Sequence, residues 1–338
     1  MIGFPGPEIA DNHPIRRDIL AHGLGGVILF NRCLHTPKEP ANIVSVDQVR
    51  TLCSTLQELS ETELLIGIDQ EGGTVRRLRP EAGFAAVQSA REMGAAGTEA
   101  TAEAARITAA MLAKAGINCN FAPVVDVDRN PGNPVIGAVN RSFSADPDTV
   151  ADHAATWIQE HRRQGIVSCV KHFPGHGSST SDSHAGFVDI SEVWDESELL
   201  PYHRLHRQQL LDAVMTGHLV NQRIDPDFPA TLSEKTVTGI LRRDVGFDGI
   251  VFSDDLQMRA ITDRYGFDEA VCRALAGGVD ILVFGNNLDY DPDICPKAIA
   301  AVIAGIEKSI VSEERLQGAL RRVRHLKQTL IAQGKRHE

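Results

Sequence analysis

The chain has 338 residues, 42% apolar and 23% charged, with a formal net charge of -11. That is ample for a sizeable core, and it argues against a polyanionic partner: nucleic-acid affinity comes from counterion release by clustered Lys and Arg, which this acidic chain does not offer. No apolar run approaches the roughly 20 residues that span a bilayer, and no basic segment followed by an apolar one opens the chain as a leader would.

Cysteine usage points the same way. Cys33, Cys53, Cys119, Cys169, Cys272 and Cys295 are scattered without a CxxC pair, and several fall in apolar runs. Free buried thiols and a cytoplasmic setting are therefore expected. The chain opens inside an apolar run, Met1–Phe4, which leaves room for an upstream segment.

Taken in order, short apolar runs alternate with stretches of helical periodicity. The predicted strands are Met1–Phe4, Gly26–Phe30, Leu64–Asp69, Asn118–Val127, Val167–Lys171, Ala213–Gly217, Ile250–Ser253 and Val279–Phe284. Helices are predicted near 8–22, 46–60, 98–115, 147–164, 195–210, 233–244 and 266–277. Strands buried on both faces read as continuous apolar runs, and these do. Such an alternation makes an α/β protein with a parallel sheet, either open or closed as a (β/α)8 barrel.

The ends of the runs favour the barrel. Asn31, Asp69, Asp126, Lys171 with His172, His218, Asp254 and Asn286 follow successive strands, and a barrel would gather them on one rim. No GxGxxG follows the first strand, so a dinucleotide site finds no support. From Pro296 to about 334 the chain reads as two helices packing on the barrel, with Ser312-Glu313-Glu314 as a helix start. No composition shift marks a linker, so 1–338 is read as one domain.

Four segments could carry chemistry. Gly67-Ile68-Asp69-Gln70-Glu71-Gly72-Gly73, with Arg76 and Arg77 beyond, puts at a strand end a carboxylate able to accept two sugar hydroxyls. Asn140-Arg141-Ser142-Phe143 is weaker, since a lone loop arginine is usually only solvated. The densest segment is Lys171-His172-Phe173-Pro174-Gly175-His176-Gly177, followed by Asp182-Ser183-His184. Its histidines and aspartate could hold zinc, but no HExxH or comparable spacing accompanies them and Lys171 would repel a dication. An Asp182–His184 acid/base dyad is favoured: a carboxylate on one ring nitrogen fixes the tautomer and lets the other exchange a proton near neutrality. Neither a metal nor an organic cofactor is expected.

The fourth segment, Phe252-Ser253-Asp254-Asp255, ends an apolar strand. Successive strand side chains face opposite ways, so only one of the two acids can enter the rim; helix capping by both is the alternative. His218 is either a substrate contact or a satisfied core residue.

KHFPGHG-x4-DSH resembles the signature of glycoside hydrolase family 3, in its bacterial β-N-acetylglucosaminidase branch, and GIDQEGG and FSDDLQM, in that order along the chain, are similar to the same branch. The likeness runs from Gly25-Gly26-Val27-Ile28-Leu29-Phe30 to Gly277-Gly278-Val279-Asp280. It implies a single-domain barrel enzyme, a retaining mechanism with Asp254 as nucleophile, and His184 as acid/base assisted by Asp182. It carries sugar binding over to Asp69, Arg77, Arg141, Lys171 and His172. The implied substrate is a terminal β-linked N-acetylglucosamine, on a muropeptide fragment. A phosphorylase using the same site and a catalytically silent sugar-binding module are the alternatives. Two departures bear on the aglycone: Thr74 stands where relatives commonly carry Arg, and loop 31–46 is unlike the usual sequence.

Overall fold

The computed structural model describes residues 1–37, 40–182 and 186–334. Eight parallel strands run in sequence order around one sheet: β1 (Ile2–Gly3), β2 (Gly26–Ile28), β3 (Leu65–Ile68), β4 (Cys119–Asn120), β5 (Val167–Phe173), β6 (Ala213–Thr216), β7 (Ile250–Asp255) and β8 (Ile281–Val283). The first and last meet through a parallel bridge between Ile2 and Phe284, with Gly3 N donating to Phe284 O at 2.9 Å. That contact closes the sheet into the expected (β/α)8 barrel.

Parity along the strands sorts the core into two layers. Ile28, Leu65, Cys119, Val167, Cys169, Ala213, Met215, Ile250 and Phe252 fill the barrel interior. Their neighbours Val27, Ile66, Val170, Val214 and Val251 face outward against the helices. Glycine is needed inside at Gly67, where a Cβ would come within 2.9 Å of the Phe121 ring, so this position makes room for that large interior side chain.

The surrounding helices include α1 (Pro14–His22), α2 (Val46–Leu59), α3 (Thr98–Ala115), α4 (Pro147–Arg163), α5 (Leu200–Arg207), the wide, i→i+5 bonded α6 (Lys235–Asp244) and α7 (Phe267–Gly277). Their starts follow local chemistry. Ser45 Oγ accepts from Gln48 N, and Asp146 accepts from the amides of Asp148 and Thr149 with Pro147 opening the helix. Two predicted boundaries shift. The stretch expected as a strand over Asn118–Val127 is paired regularly only at Cys119–Asn120, because Pro123 brings no N–H to the ladder. Val125 N still reaches Lys171 O at 2.9 Å, so the segment stays extended beside β5. The helix expected over 195–210 is regular only from Leu200, where Pro201 opens it after a tighter turn at Glu196–Leu199.

The tail forms α8 (Ile294–Glu307) and α9 (Glu313–Gly334). At the N-terminal end of β8 the buried Asp280 accepts from Arg242 (2.6 Å), Arg315 (3.0 Å) and Arg322 (3.5 Å). Arg242 belongs to α6 and the other two to α9, so a single carboxylate joins both helices to the barrel floor. None of the helices among the described residues is long and apolar enough to cross a membrane. All six cysteines are buried and free.

Candidate active site

At the C-terminal rim the interior parity continues into ionisable side chains. Leu65 and Gly67 lead to Asp69, Val167 and Cys169 lead to Lys171, and Ile250 and Phe252 lead to Asp254, each by steps of two. These residues line a cleft of about 430 Å³ together with Glu71, Arg77, Arg141, His172 and Asp255. The two adjacent acids part as the pleat requires. Both border the cleft, but Asp255 is tied down, its Oδ1 accepting from Gly285 N (2.9 Å) and Gln257 N (3.0 Å), while Asp254 Oδ1 accepts from Asp255 N at 2.8 Å.

The floor of the cleft is a chain of ion pairs. Lys171 Nζ lies 2.7 Å from both Asp69 Oδ1 and Glu71 Oε1. Arg77 holds the other oxygen of Asp69 at 3.0 Å, and Arg141 grips Glu71 with two bonds of 2.8 and 2.7 Å. Burial by itself would raise both carboxyls. The cations override it, so Asp69 sits well below the usual carboxylate range and Glu71 is pushed down to about 2. Burial likewise opposes the charge on Lys171, but Asp69 and Glu71 raise its pKa above the ordinary lysine value. Three cations thus face two carboxylates, leaving a positive surplus in a cleft that also holds Asp254.

His172 is set by a second carboxylate. Its Nδ1 lies 2.7 Å from Asp126 Oδ2, and its amide donates to Asp126 Oδ1 at 3.2 Å. The ring's Nε2 is left toward Arg141, 3.4 Å away. Burial would raise Asp126, but His172 keeps it below the usual range. His176 follows a different course: its Nδ1 is 2.7 Å from Ser179 Oγ, and burial pushes it down to about 4, so it is neutral at physiological pH.

The structure therefore brings together Asp69, Arg77, Arg141, Lys171, His172 and Asp254. Asp182 is half-buried and, among the described residues, is not part of the cleft lining; His184 lies outside the described residues. His218 is resolved in favour of a packed role: it is buried, with Nδ1 2.8 Å from Thr231 Oγ1 and Nε2 2.8 Å from Asp255 O. It steadies the backbone beside Asp254. Among the described residues no group of three His, Cys, Asp or Glu could hold a metal.

Two contributors carried no role in the sequence reading. Glu71 was legible in principle, lying two residues beyond Asp69 on the same parity. Asp126 ends an apolar run, but nothing local shows that its partner is His172, 46 residues on.

A parallel barrel with a carboxylate-rich, polar cleft at the C-terminal rim defines a class of small-molecule enzyme. Comparison with known proteins makes the class specific. Residues 3–326 match the Glycosyl hydrolase family 3 N terminal domain. A beta-hexosaminidase of Tolumonas auensis is 37% identical over 278 residues, covering 80% of this chain and 78% of that protein. The beta-hexosaminidase LpqI of Mycobacterium tuberculosis is 38% identical over 270 residues, 75% of this chain and 68% of LpqI. A solved family 3 beta-N-acetylglucosaminidase from Paenibacillus sp. superposes with a TM-score of 0.88 at 35% identity, over 98% of this chain and 61% of that one. The chain belongs to glycoside hydrolase family 3. It is a glycoside hydrolase.

Proposed function

We propose that the chain is a β-hexosaminidase, specifically a retaining exo-β-N-acetylglucosaminidase, with Asp254 as nucleophile and His184, assisted by Asp182, as acid/base. The observation that carries this reading is the convergence of Asp254 with the Asp69–Lys171–Glu71–Arg141 chain in one cleft. The beta-hexosaminidase and beta-N-acetylglucosaminidase names of its relatives support it.

The chemistry follows from the placement. Asp69 spends part of each oxygen on Lys171 or Arg77 and keeps lone pairs for sugar hydroxyls. Lys171, Arg77, Arg141 and His172 supply donors fixed in advance by Asp69, Glu71 and Asp126, so little reorganisation accompanies binding. Asp254 attacks the anomeric carbon while His184 protonates the departing oxygen. In the second step neutral His184 takes a proton from water, which attacks the glycosyl ester and frees Asp254. A histidine replaces the second carboxyl of the usual pair.

The aglycone is proposed to be acidic, as on a muropeptide fragment. Arg32 and Arg79 line the same cleft. Burial and the like charges of Arg32, Arg76 and Arg77 lower the pKa of Arg79, a surplus that an anionic group would relieve. A cytoplasmic setting, where thiols stay reduced, suits the six buried free cysteines.

Hydrolysis of a chromogenic N-acetyl-β-glucosaminide beside the plain β-glucoside tests the reading. Selective release of free N-acetylglucosamine, unchanged by phosphate or a strong chelator, is expected. Appearance of sugar-1-phosphate would make it a phosphorylase, and binding without turnover by folded protein would make it a silent sugar-binding module.

A further inference from the structure

The turn that follows β5 is held from beneath by a carboxyl group that the mechanism does not use. Glu198 is fully buried, and its Oε2 accepts from Gly177 N at 3.1 Å. The preceding amide, His176 N, goes to Asp126 Oδ1 at 2.8 Å. Two carboxyls from different elements therefore take consecutive amides of one turn, and Asp126 is also the residue that orients His172. Trp194 Nε1 adds a bond to Pro174 O at 3.1 Å, so the segment 194–198 grips the turn at two points.

The packing leaves no slack. A Cβ on Gly175 would lie 2.7 Å from Glu198 Cβ and 2.8 Å from its Oε2, and one on Gly177 would lie 1.7 Å from Val127 O. Gly175 is required for the turn to sit on Glu198, and Gly177 for it to lie against the Val127 backbone. The remaining oxygen, Oε1, and the buried hydroxyls of Ser178 and Tyr202 have no partner of good hydrogen-bond geometry among the described residues. Such a site accommodates a neutral carboxylic acid better than an anion.

We propose that Glu198 is a positioning residue whose carboxyl clamps the turn Pro174–Ser179 from which the segment bearing Asp182 and His184 continues. The proposal rests on the reading of that segment as the acid/base loop. Burial pushes the Glu198 carboxyl up to about 7; Ser178 and the Gly177 amide oppose the shift and the charge of Asp126 adds to it. The other titratable groups facing it do not carry a compensating positive charge. His176 is pushed down to about 4, and burial raises Tyr202 and Cys169, which stay neutral.

The sign follows from linkage. A turn that opens exposes Glu198 to water, where it ionises at an ordinary pH of about 4.5; clamped, it ionises only near 7. Through Glu198 alone, opening becomes easier as pH rises from 4.5 to 7, by up to about tenfold per pH unit; His176 in the same turn, held at about 4 when closed and protonated below about 6.5 when open, opposes this by a like amount up to pH 6.5.

Hydrogen exchange of peptides covering 174–179, corrected for intrinsic rates, reads this directly. Between pH 5 and 6.5 the two contributions offset, so wild-type protection should be nearly level, whereas in Glu198→Gln, which keeps an acceptor for Gly177 N but cannot ionise, protection should rise by about three- to tenfold per unit. Equal slopes in the two proteins would overturn the proposal. Steady-state kinetics give a second arm: Glu198→Ala should lower kcat by about 10- to 100-fold while KM moves less than about threefold, and a change confined to KM counts against it. The exchange result does not depend on what the enzyme cleaves. An inactive wild type would thus remove the glycosidase reading and leave this one to be decided by exchange.

Discussion

The two ends of the barrel each hold a buried cluster of like design, carboxylates surrounded by more cations than they number. At the floor, Asp280 meets Arg242, Arg315 and Arg322. At the rim, Asp69 and Glu71 meet Arg77, Lys171 and Arg141. Their surroundings differ. The floor arginines also spend donors on main-chain carbonyls of Phe247, Gly249, Leu275 and Val279, so the cluster is consumed in joining helices to strands. The rim cluster borders an open cleft and Asp254. A cation surplus stapled to the backbone serves stability, whereas the same surplus left facing a cavity is available to a ligand.

The sharpest break in this comparison is Asp254→Ala. It should lower kcat/KM for an N-acetyl-β-glucosaminide by at least about 10⁴-fold, with a thermal midpoint close to wild type; hydrolysis near the wild-type rate would end the nucleophile assignment. The floor should behave in the opposite sense. Asp280→Ala leaves Arg242 and Arg315 without their carboxylate, Arg322 keeping Asp248, and should cost about 3–5 kcal/mol in denaturant unfolding, with kcat/KM of the folded fraction unchanged. Loss of activity without loss of stability would reverse the roles given to the two ends.

Acid sharpens the contrast further. The carboxyl of Glu71 is depressed from 4.5 to about 2, so its contribution is present above pH 4.5 and disappears as pH falls toward 2. That contribution is of order 3 kcal/mol. Calorimetry from pH 5 to 2.5 should show a shallower loss of thermal midpoint in Glu71→Gln than in the wild type; parallel curves would mean that Glu71 is not so depressed. The smallest effect is reserved for the cleft mouth. Arg32→Ala with Arg79→Ala should reduce kcat/KM about five- to tenfold on a substrate with an anionic aglycone and leave a neutral aryl glycoside nearly untouched. An equal effect on both would remove the acidic-aglycone proposal.

Much of the barrel was legible because buried parallel strands are written as continuous apolar runs. The positions of Asp69, Lys171 and Asp254 followed from where those runs stop. Legibility failed where a residue's partner is distant in sequence. Glu71 and Arg141 are 70 residues apart, Asp126 and His172 are 46 apart, and no local pattern couples either pair. It failed also at 121–127, where apolar composition predicts a strand and one proline interrupts its ladder. His218 could not be assigned from sequence, since a histidine's role depends on both ring nitrogens and its partners, Thr231 and Asp255 O, come from different segments.

The separation of Asp254 from Asp255 has a consequence for insertions and deletions. Between Phe252 in the packed interior and Asp254 at the rim there is a single intervening residue, Ser253, whose hydroxyl accepts from Val283 N at 2.8 Å. One residue gained or lost here would put Asp255 in the interior parity that Asp254 now holds and turn Asp254 outward; two would restore the facing but displace the carboxylate by about 6.6 Å along the strand. Loops beyond the rim are not bound by this parity, whereas the distance from the last core side chain to the acid tolerates no gap. In aligning distant members, spacing at this point is a stricter test than identity.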